Sequence, residues 1–386
     1  MKTAIYAFSG DPITYGHMNI IERAIKVFDR VIVAIGENPD KTYTFNLAER
    51  KEMALRCFSN SAGMAHPHIT VMSFSNLLID FAYEQGVDVV VKGVRNSADF
   101  DYEAVLDSVG KSQKLGIDTH ILFADPELAH VSSSAVKAIA KHNGNITKYV
   151  PLNVKQAVEE RVCEQHILGI TGPIGCGKSH IGKILSRYKY ETGNMIDVHN
   201  IELDHIGHDI LNKLTEPAYV KVRKEIAEAM DQPELLNKDG FIDRKILGER
   251  VFYYPQDLAN LNKFMEKAIM VRLRKEISGK EGIILINCAL LAESNMLHIC
   301  NNNVLLIDVS KDTQTKRLKE RGLSEEQIES RTSCQYDHGR KQRTIEKQIS
   351  EDCHGKLWSI DNSQDLTNDE IYASFDNIFG ELDVWL

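Results

Sequence analysis

Two short segments of the chain carry residue types that bind phosphate, and each follows an apolar run. The first reads TYGH at Thr14–His17, where a glycine lets backbone approach a ligand and an imidazole lies at a predicted helix start. The second reads GPIGCGKS at Gly172–Ser179 and satisfies the pattern G-x-x-x-x-G-K-[ST]. Its glycines free backbone amides to cradle phosphate, its lysine reaches the β- and γ-oxygens, and its serine ligates Mg²⁺. The spacing therefore predicts two nucleotide-using sites in one chain.

The second motif supplies most of the candidate ATP-binding residues of the second half. Lys178 is the expected catalytic cation and Ser179 the expected metal ligand. Cys176 lies inside the loop at a helix start, so that a redox-sensitive thiol and a small residue that merely fits both remain open. The candidates in and beside the loop are Gly172, Gly175, Cys176, Gly177, Lys178, Ser179 and His180.

Both motifs need a strand before them and a helix after them, and the surrounding sequence provides both. Short apolar runs alternate with longer stretches of helical periodicity in each half of the chain. This alternation predicts a parallel, doubly wound α/β sheet in the first half and a second α/β domain in the second half. The predicted strands are Thr3–Phe8, Arg30–Gly36, His68–Ser73, Val87–Val91 and His120–Phe123 in the first half, and His166–Thr171, Met195–Val198, Ile283–Ile286, Val304–Val309 and Leu357–Ile360 in the second.

The length of 386 residues favours two domains, since one domain takes roughly 150 residues. Val154–Glu164 has the pattern of a charged connecting helix, which places the boundary near residues 160–165. We therefore expect domains at residues 1–162 and 163–386. The stretch from about 206 to 280 lacks strand patterns and contains three prolines, so it is predicted to be a helical, substrate-covering insertion.

Composition narrows the class of protein and its partners. The chain is 43% hydrophobic and 26% charged with a net charge of -9, which is typical of a soluble globular protein and favours neither nucleic acid nor an acidic membrane as partner. Its seven cysteines form no Cys-x-x-Cys pair, so neither a disulfide framework nor a zinc knuckle is expected. No apolar run reaches the length of a signal-peptide core or a membrane span, and we expect a cytoplasmic location.

Further segments of the first half carry a family resemblance. Val91–Glu103 follows a predicted strand, and His130–Ser134 precedes a predicted helix, so both place phosphate donors at strand ends. Together with Asp11–His17 and Phe45–Arg50, they closely resemble the bacterial-type phosphopantetheine adenylyltransferase family, of the HxGH nucleotidylyltransferase superfamily. The resemblance covers nearly all of residues 1–160 and implies an HxGH-type, Rossmann-like domain.

The resemblance implies that 4′-phosphopantetheine attacks the α-phosphorus of ATP and expels pyrophosphate, giving dephospho-CoA. It assigns transition-state stabilisation to His17 and the bridging of the reacting phosphates to Lys41, with Arg95 as a further catalytic cation. The ATP-binding residues that it implies are Thr14, Gly16, His17, Gly93, Val94, Arg95, Glu103, Ser132, Ser133 and Ser134. Those implied for phosphopantetheine are Ser9, Lys41, Leu78 and Lys92.

The second half shows a resemblance of its own around the phosphate loop. Asp204 follows a short predicted strand, where a carboxylate can take a hydroxyl proton. Asn287–Glu293 ends another strand, and Arg317 and Arg321 share one face of a helix. From about His166 to Asn362 the chain resembles the dephospho-CoA kinase family, which has a P-loop kinase fold. The resemblance implies that Asp204 activates the ribose 3′-hydroxyl of dephospho-CoA and that Arg317, Arg321 and Arg340 close over ATP.

The two implied reactions are consecutive, since dephospho-CoA is the product of the first and the substrate of the second. Together they predict a bifunctional enzyme that uses ATP and Mg²⁺ and releases CoA, and the adenylyltransferase family is typically oligomeric. Two alternatives stay open: a nicotinamide-nucleotide adenylyltransferase fused to a ribosylnicotinamide kinase, and a non-catalytic CoA or nucleotide sensor. The chain departs from the family patterns at several positions: Ala7-Phe8 for Pro-Gly, Ser9-Gly10 for Thr-Phe, Lys92 for Arg, Glu202 for Asp and Ala289 for Pro.

Overall fold

The computed structural model describes residues 2–60, 62–193 and 195–382. Its described residues divide into two compact units, one formed by residues up to 163 with the segment 350–354, the other by residues 164–349 and 355–382. The last four residues of the predicted second domain, 383–386, lie outside the described part.

The first unit is a five-stranded parallel sheet with helices on both faces, in the order β3-β2-β1-β4-β5. Its strands are β1 Thr3–Phe8, β2 Arg30–Gly36, β3 Ile69–Phe74, β4 Val89–Val94 and β5 Asp118–Phe123; its helices are α1 Tyr15–Ala24, α2 Leu47–Cys57, α3 Leu78–Glu84, α4 Ser97–Ser112, α5 Ser133–Ala140 and α6 Leu152–Cys163. The predicted strands β1 and β2 match the observed bounds. The fourth predicted strand ends too early, because β4 continues through Lys92 and Gly93, where a lysine interrupts the apolar run.

The position of β1 and β2 in the sheet determines where the core lies and at which edge a ligand can bind. Side chains of β1 and β2 alternate between two apolar clusters, one containing Ile5 and Ile32, the other Val31 and Val33. The chain leaves β1 toward β2 on one side and returns to β4 on the other. Ligands bind at such a switch point, outside the carboxyl ends of the strands.

The second unit repeats this architecture with another strand order, β10-β9-β6-β8-β7, again all parallel. Its strands are β6 Gln165–Thr171, β7 Val198–Glu202, β8 Gly282–Asn287, β9 Val304–Asp308 and β10 Leu357–Asp361; its helices are α7 Lys178–Leu185, α8 Tyr188–Thr192, α9 Leu203–Asn212, α10 Pro217–Ala229, α11 Arg244–Tyr253, α12 Pro255–Ile277, α13 Lys311–Glu320, α14 Glu325–Ser333, α15 His338–Asp352 and α16 Asn368–Glu381. The central strand β6 leads directly into the glycine-rich loop.

Two predictions for the second unit have different outcomes. The helical insertion is confirmed, because α9 to α12 fill residues 203–277 and the described part of that stretch contains no strand beyond one isolated bridge. The strand predicted at Met195–Val198 is wrong in position, since β7 begins at Val198. The polar residues His199 and Asn200 interrupt the apolar run by which β7 would be recognised in the sequence. They are tolerated there because β7 is an edge strand.

Candidate active sites

A cavity of about 840 Å³ opens at the carboxyl ends of β1 and β4. It gathers residues from segments more than 100 positions apart in the chain. The predicted residues that line it are Ser9, Thr14, Gly16, His17, Lys41, Lys92, Gly93, Arg95, Glu103, Ser132, Ser133 and Ser134. The tertiary fold thus brings most of the first group of candidates to one place.

Two candidates of the first unit lie elsewhere. Val94 ends β4 with 1% of its surface exposed and packs in the core, so it does not line the cavity. Leu78 begins α3 and lines a smaller, mainly apolar cavity of about 140 Å³. Lys92 and Glu103 line both cavities, so the smaller one adjoins the larger.

His17 has a defined tautomer because of its place in the first turn of α1. The Thr14 backbone N–H donates to His17 Nδ1 at 3.1 Å, and Thr14 Oγ1 lies 3.0 Å from the same atom. Since Nδ1 accepts that bond, the proton of the neutral ring lies on Nε2. Burial, reinforced by the positive charge of Arg95, lowers the pKa of His17 to about 4. The ring also stacks on Phe8 at a centroid distance of 4.4 Å. His17 therefore caps the helix with one nitrogen and keeps the other as a neutral donor.

The two predicted cations at the end of β4 are already paired with carboxylates. Lys92 Nζ lies 2.9 Å from Glu103 Oε2. The Arg95 guanidinium donates to both carboxylate oxygens of Asp99, at 2.8 Å and 3.3 Å, and this hydrogen bonding raises the pKa of Arg95 and lowers that of Asp99. An arriving phosphate would therefore compete with Asp99 and Glu103 for these cations.

The remaining phosphate donors come from α5 and from the loop between β2 and α2. Ser132 caps α5 by accepting from the Ala135 backbone N–H at 3.2 Å, and Ser133 Oγ donates to the Pro12 carbonyl at 2.7 Å. The N-terminus of α5 therefore presents amides and a positive dipole end to the cavity. Lys41 lies on the exposed loop before α2, and its side chain also lines the cavity.

Arg50 is a supporting residue whose role was not predicted. Its side chain is fully buried and donates to the carbonyls of Ser9, Gly36 and Phe45 at 2.5, 2.8 and 3.1 Å. It thereby ties the end of β1 to both ends of the loop that bears Lys41. A sequence signal was present, because Arg50 ends the segment Phe45–Arg50 that contributed to the family resemblance, but nothing in the sequence revealed its burial.

The glycine-rich loop after β6 adopts a backbone that its glycines make possible. Gly172, Gly175 and Gly177 have φ values of 152°, 81° and 98°, which L-residues with side chains rarely adopt. A Cβ at Gly172 would lie 2.4 Å from the Ile307 carbonyl oxygen. Lys178 Nζ folds back on the loop and donates to the carbonyls of Gly172 and Pro173 at 3.0 and 3.1 Å. The loop thus has the backbone that a phosphate cradle needs, and its lysine folds over it.

Ser179 and Glu202 form a pair of oxygen donors beside this loop. Ser179 Oγ donates to Glu202 Oε2 at 2.7 Å, and Asn200 donates to the other carboxylate oxygen at 3.2 Å. Glu202 ends β7 with a side chain that is only 10% exposed. Hydroxyl and carboxylate oxygens are the ligands that Mg²⁺ prefers. The sequence predicted Ser179 as a metal ligand but treated Glu202 only as a departure from the family pattern.

Asp204 is an exposed carboxylate in the first turn of α9, directly after β7. Its charge acts on the thiol of Cys288 at the end of β8, since burial first and Asp204 second raise the pKa of Cys288 to about 12. The positive charge of Lys178 acts on the same thiol in the opposite sense. The predicted base and the loop lysine are therefore near a common point at the ends of β6, β7 and β8.

The three predicted arginines differ in their contacts with the phosphate loop. Arg317 donates to the carbonyls of Cys176 and Asn362 at 3.4 and 2.9 Å and pairs with Asp365 at 2.7 Å. Arg321 is exposed and makes no side-chain hydrogen bond within the described residues. Arg340 lies over the Tyr336 ring, 3.7 Å from its centroid. Arg317 is thus the arginine whose loop contact the structure shows.

Two other loop candidates occupy opposite environments. Cys176 is fully buried, while His180 is exposed on α7. Behind the loop, Lys341 is also fully buried, and its ammonium donates to the Ala289 carbonyl at 2.6 Å and to Glu293. The sequence did not predict this pair, because the residues around Lys341 are polar and do not indicate that its side chain is buried.

Within residues 2–60, 62–193 and 195–382, no group of three or more His, Cys, Asp or Glu side chains is arranged to hold a metal ion. Across the same residues, no helix has both the length and the apolar character needed to cross a membrane.

Comparisons with known proteins match both halves of the chain. The dephospho-CoA kinase family model matches residues 166–355, and the cytidylyltransferase-like model matches residues 9–139. A phosphopantetheine adenylyltransferase of Clostridium perfringens is 36% identical over 162 residues, 42% of this chain and 96% of that protein. One from Nautilia profundicola is 40% identical over 148 residues, 38% of this chain and 93% of that protein.

Structural likeness is weaker than these sequence matches. The likeness to the solved dephospho-CoA kinase from Campylobacter jejuni covers 56% of this chain and 97% of that chain at 23% identity, with a TM-score of 0.34. The sequence matches alone confirm both resemblances predicted above. The chain therefore belongs to the phosphopantetheine adenylyltransferase family through its first half and carries a domain of the dephospho-CoA kinase family in its second half.

Proposed function

We propose that the residues gathered at the two sites carry out the last two steps of coenzyme A synthesis. Residues 1–162 would transfer the adenylyl group of ATP to 4′-phosphopantetheine, and residues 163–386 would phosphorylate the resulting dephospho-CoA on its ribose 3′-hydroxyl. Both reactions are those of the families to which the two halves belong. The observation that carries the proposal is that one chain contains both a cavity lined by twelve predicted residues and a glycine-rich loop with the backbone of a phosphate cradle.

At the first site, a phosphate oxygen of 4′-phosphopantetheine would attack the α-phosphorus of ATP. The bond between the α-phosphorus and the bridging oxygen breaks, and pyrophosphate leaves with that oxygen. His17 would donate from Nε2 to an α-phosphate oxygen as a neutral group, because the Thr14 amide occupies Nδ1. Lys41 would neutralise both reacting phosphates, while Arg95 and the N-terminus of α5 hold the rest of ATP.

At the second site, Asp204 would accept the proton of the ribose 3′-hydroxyl as its oxygen attacks the γ-phosphorus. The bond between the γ-phosphorus and the β–γ bridging oxygen breaks, and ADP leaves. Lys178 and the loop amides would neutralise the charge that spreads over the transferring group, and Arg317 would hold the loop itself.

Mg²⁺ would be held by Ser179 and Glu202, whose oxygen atoms are already neighbours. When bound there it would neutralise charge on the β- and γ-phosphates. The substitution of Glu202 for the family's aspartate keeps the carboxylate that this role needs.

Self-association is a further part of the proposal, and it rests on helix α4. All 16 residues of this helix are described and none is buried, although five are large and apolar: Phe100, Tyr102, Val105, Leu106 and Val109. We propose that a second copy of the chain covers this face. We also propose that the enzyme is cytoplasmic. Sedimentation of Val105→Glu beside the parent chain tests it, because an unchanged mass would contradict this surface.

The central test supplies 4′-phosphopantetheine, ATP and Mg²⁺ and follows pyrophosphate, ADP and CoA. Equal amounts of all three products are expected. Pyrophosphate without ADP would contradict the kinase assignment, whereas no pyrophosphate would contradict the adenylyltransferase assignment. Supplying dephospho-CoA directly tests the second step by itself.

A further inference from the structure

One ion pair in the first unit joins three separate segments of the chain. Asp11 is buried, and its carboxylate accepts from the backbone N–H groups of Thr44 and Phe45, the latter at 2.9 Å. Lys137 Nζ lies 2.5 Å from the same carboxylate. It also donates to Thr44 Oγ1 at 3.0 Å. The pair therefore connects the segment after β1, the end of the loop before α2, and helix α5.

Each of these segments carries one of the proposed phosphate-binding groups. The segment that contains Asp11 continues into α1 and His17. The loop that ends at Thr44 bears Lys41, which is exposed and belongs to no regular element. Helix α5 begins at Ser133, one turn before Lys137, and presents its N-terminus to the cavity. The distances among the three groups thus depend on a contact that none of them makes directly.

We propose that Asp11 and Lys137 are positioning residues for adenylyl transfer, whose ion pair holds Lys41 in register with His17 and the N-terminus of α5. This inference rests on the proposed function. Lys41 needs such support most, because its loop has only irregular backbone, whereas His17 and the serines lie on helices. Misplacement of a catalytic group by about 1 Å is enough to cost on the order of 100-fold in rate.

The ion pair between Asp11 and Lys137 is expected to contribute little to the free energy of unfolding. Burying two charges costs desolvation free energy that their attraction only partly returns, and an apolar pair of similar volume is often as stable. Lys137 also lines the cavity and is 22% exposed, so a direct contact between Lys137 and phosphate is the competing role. A test has to separate positioning through Lys41 from direct contact.

The experiment measures the kinetics of pyrophosphate release for the full chain with Lys137→Met, alone and in a Lys41→Ala background. Asp11→Asn/Lys137→Met is included because it leaves no unpaired buried charge if the single variant unfolds. Lys141→Met is the matched control, since this exposed lysine lies four residues further along the chain, at the C-cap of the same helix. Phosphorylation of supplied dephospho-CoA reports whether the second unit of each variant is intact, and thermal unfolding reports on the first.

Positioning predicts that Lys137→Met lowers kcat about 10- to 100-fold with less than about threefold change in the KM of ATP. It also predicts that the same substitution changes the rate less than about twofold once Lys41 is alanine, because the two act as one unit. Multiplicative losses in the Lys41→Ala background would overturn positioning in favour of direct phosphate contact. A parental rate for Lys137→Met and for the folded double variant would overturn it as well. If the parent chain itself releases no pyrophosphate, the proposed function is wrong and the inference falls with it.

Discussion

The two candidate phosphate sites of this chain are built in opposite ways. The second uses one contiguous loop, Gly172–Ser179, whose backbone supplies the cradle and whose lysine bonds back to the loop itself. The first draws its groups from segments spread between Ser9 and Ser134, and none of those segments forms a cradle alone. Local backbone geometry makes one site, and long-range packing makes the other.

This difference has consequences for how each site tolerates change. In the loop, glycines with positive φ fix the amide directions. Four side chains from outside bond single backbone groups of the loop: Gln314, Gln335, Arg317 and Asn362. In the cavity, buried polar side chains such as Arg50 and Asp11 hold the segments together. We therefore expect the first site to depend more strongly on distant residues and on pH.

The largest expected effect separates the two sites completely. Asp204→Asn keeps the shape of the side chain but cannot accept the ribose proton, and general-base catalysis contributes about 10²- to 10⁴-fold. The kinase rate should fall by that factor while pyrophosphate release continues, so that dephospho-CoA accumulates. Chromatography of the products measures this. A kinase rate within a few-fold of the parent would remove Asp204 from the base role.

The reciprocal substitution at the first site is His17→Ala. It removes the Nε2 donor, and loss of one such donor costs about 10²- to 10³-fold in kcat. His17→Gln serves as the companion variant, since its amide still offers an N–H. Pyrophosphate release should fall, whereas phosphorylation of supplied dephospho-CoA should stay at the parental rate. Equal losses in both steps would show that the sites are not separable in this way.

The stability of the first unit should depend on pH through the lowered pKa of His17. Because the folded pKa of His17 is about 4 and the unfolded value about 6.5, the unfolded chain binds a proton between these values that the native chain does not. The native state is therefore favoured above about pH 6.5 and loses on the order of 3 kcal/mol as the pH falls toward 4. Thermal unfolding at pH 7 and pH 5 should show a larger decrease in the parent than in His17→Gln. Parallel decreases would contradict this assignment.

The smallest expected effect on kinase activity comes from two arginines that lie four residues apart. Arg317 donates to the phosphate loop, while Arg321 makes no side-chain hydrogen bond in the described part of the chain. Arg317→Gln should lower kinase kcat/KM about tenfold, the value of one charged hydrogen bond of about 1.5 kcal/mol. Arg321→Gln should change it less than about twofold. A larger loss for Arg321→Gln would mean that this residue reaches ATP only in the bound state.

Much of the fold could be predicted because its central strands are buried on both faces. Such strands are continuous apolar runs, and β1 and β2 therefore have their predicted bounds. Prediction failed where strands carry polar side chains for tertiary reasons. Lys92 lies inside β4 because it pairs with Glu103, and Asn200 lies inside β7 because it bonds Glu202.

The candidate sites follow the same division. The glycine-rich loop could be identified from the sequence, since its motif lies within eight residues, but the neighbouring Glu202 could not be assigned a role there. For the first site the sequence indicated which residues take part, partly through a family resemblance. It did not indicate that Val94 lies in the core, that Leu78 lies in an adjoining cavity, or that Lys137 bonds Asp11.

By itself, then, the sequence determined two parallel α/β units, two phosphate-binding motifs and the families to which they belong. These depend on strand burial, glycine conformation and short spacings, all of which are local. Only the tertiary structure decided the lowered pKa of His17, the pairing of Ser179 with Glu202, and the ion pair that links three segments around the first cavity. The physical reason is that desolvation and hydrogen bonding between distant segments exist only once the chain has folded.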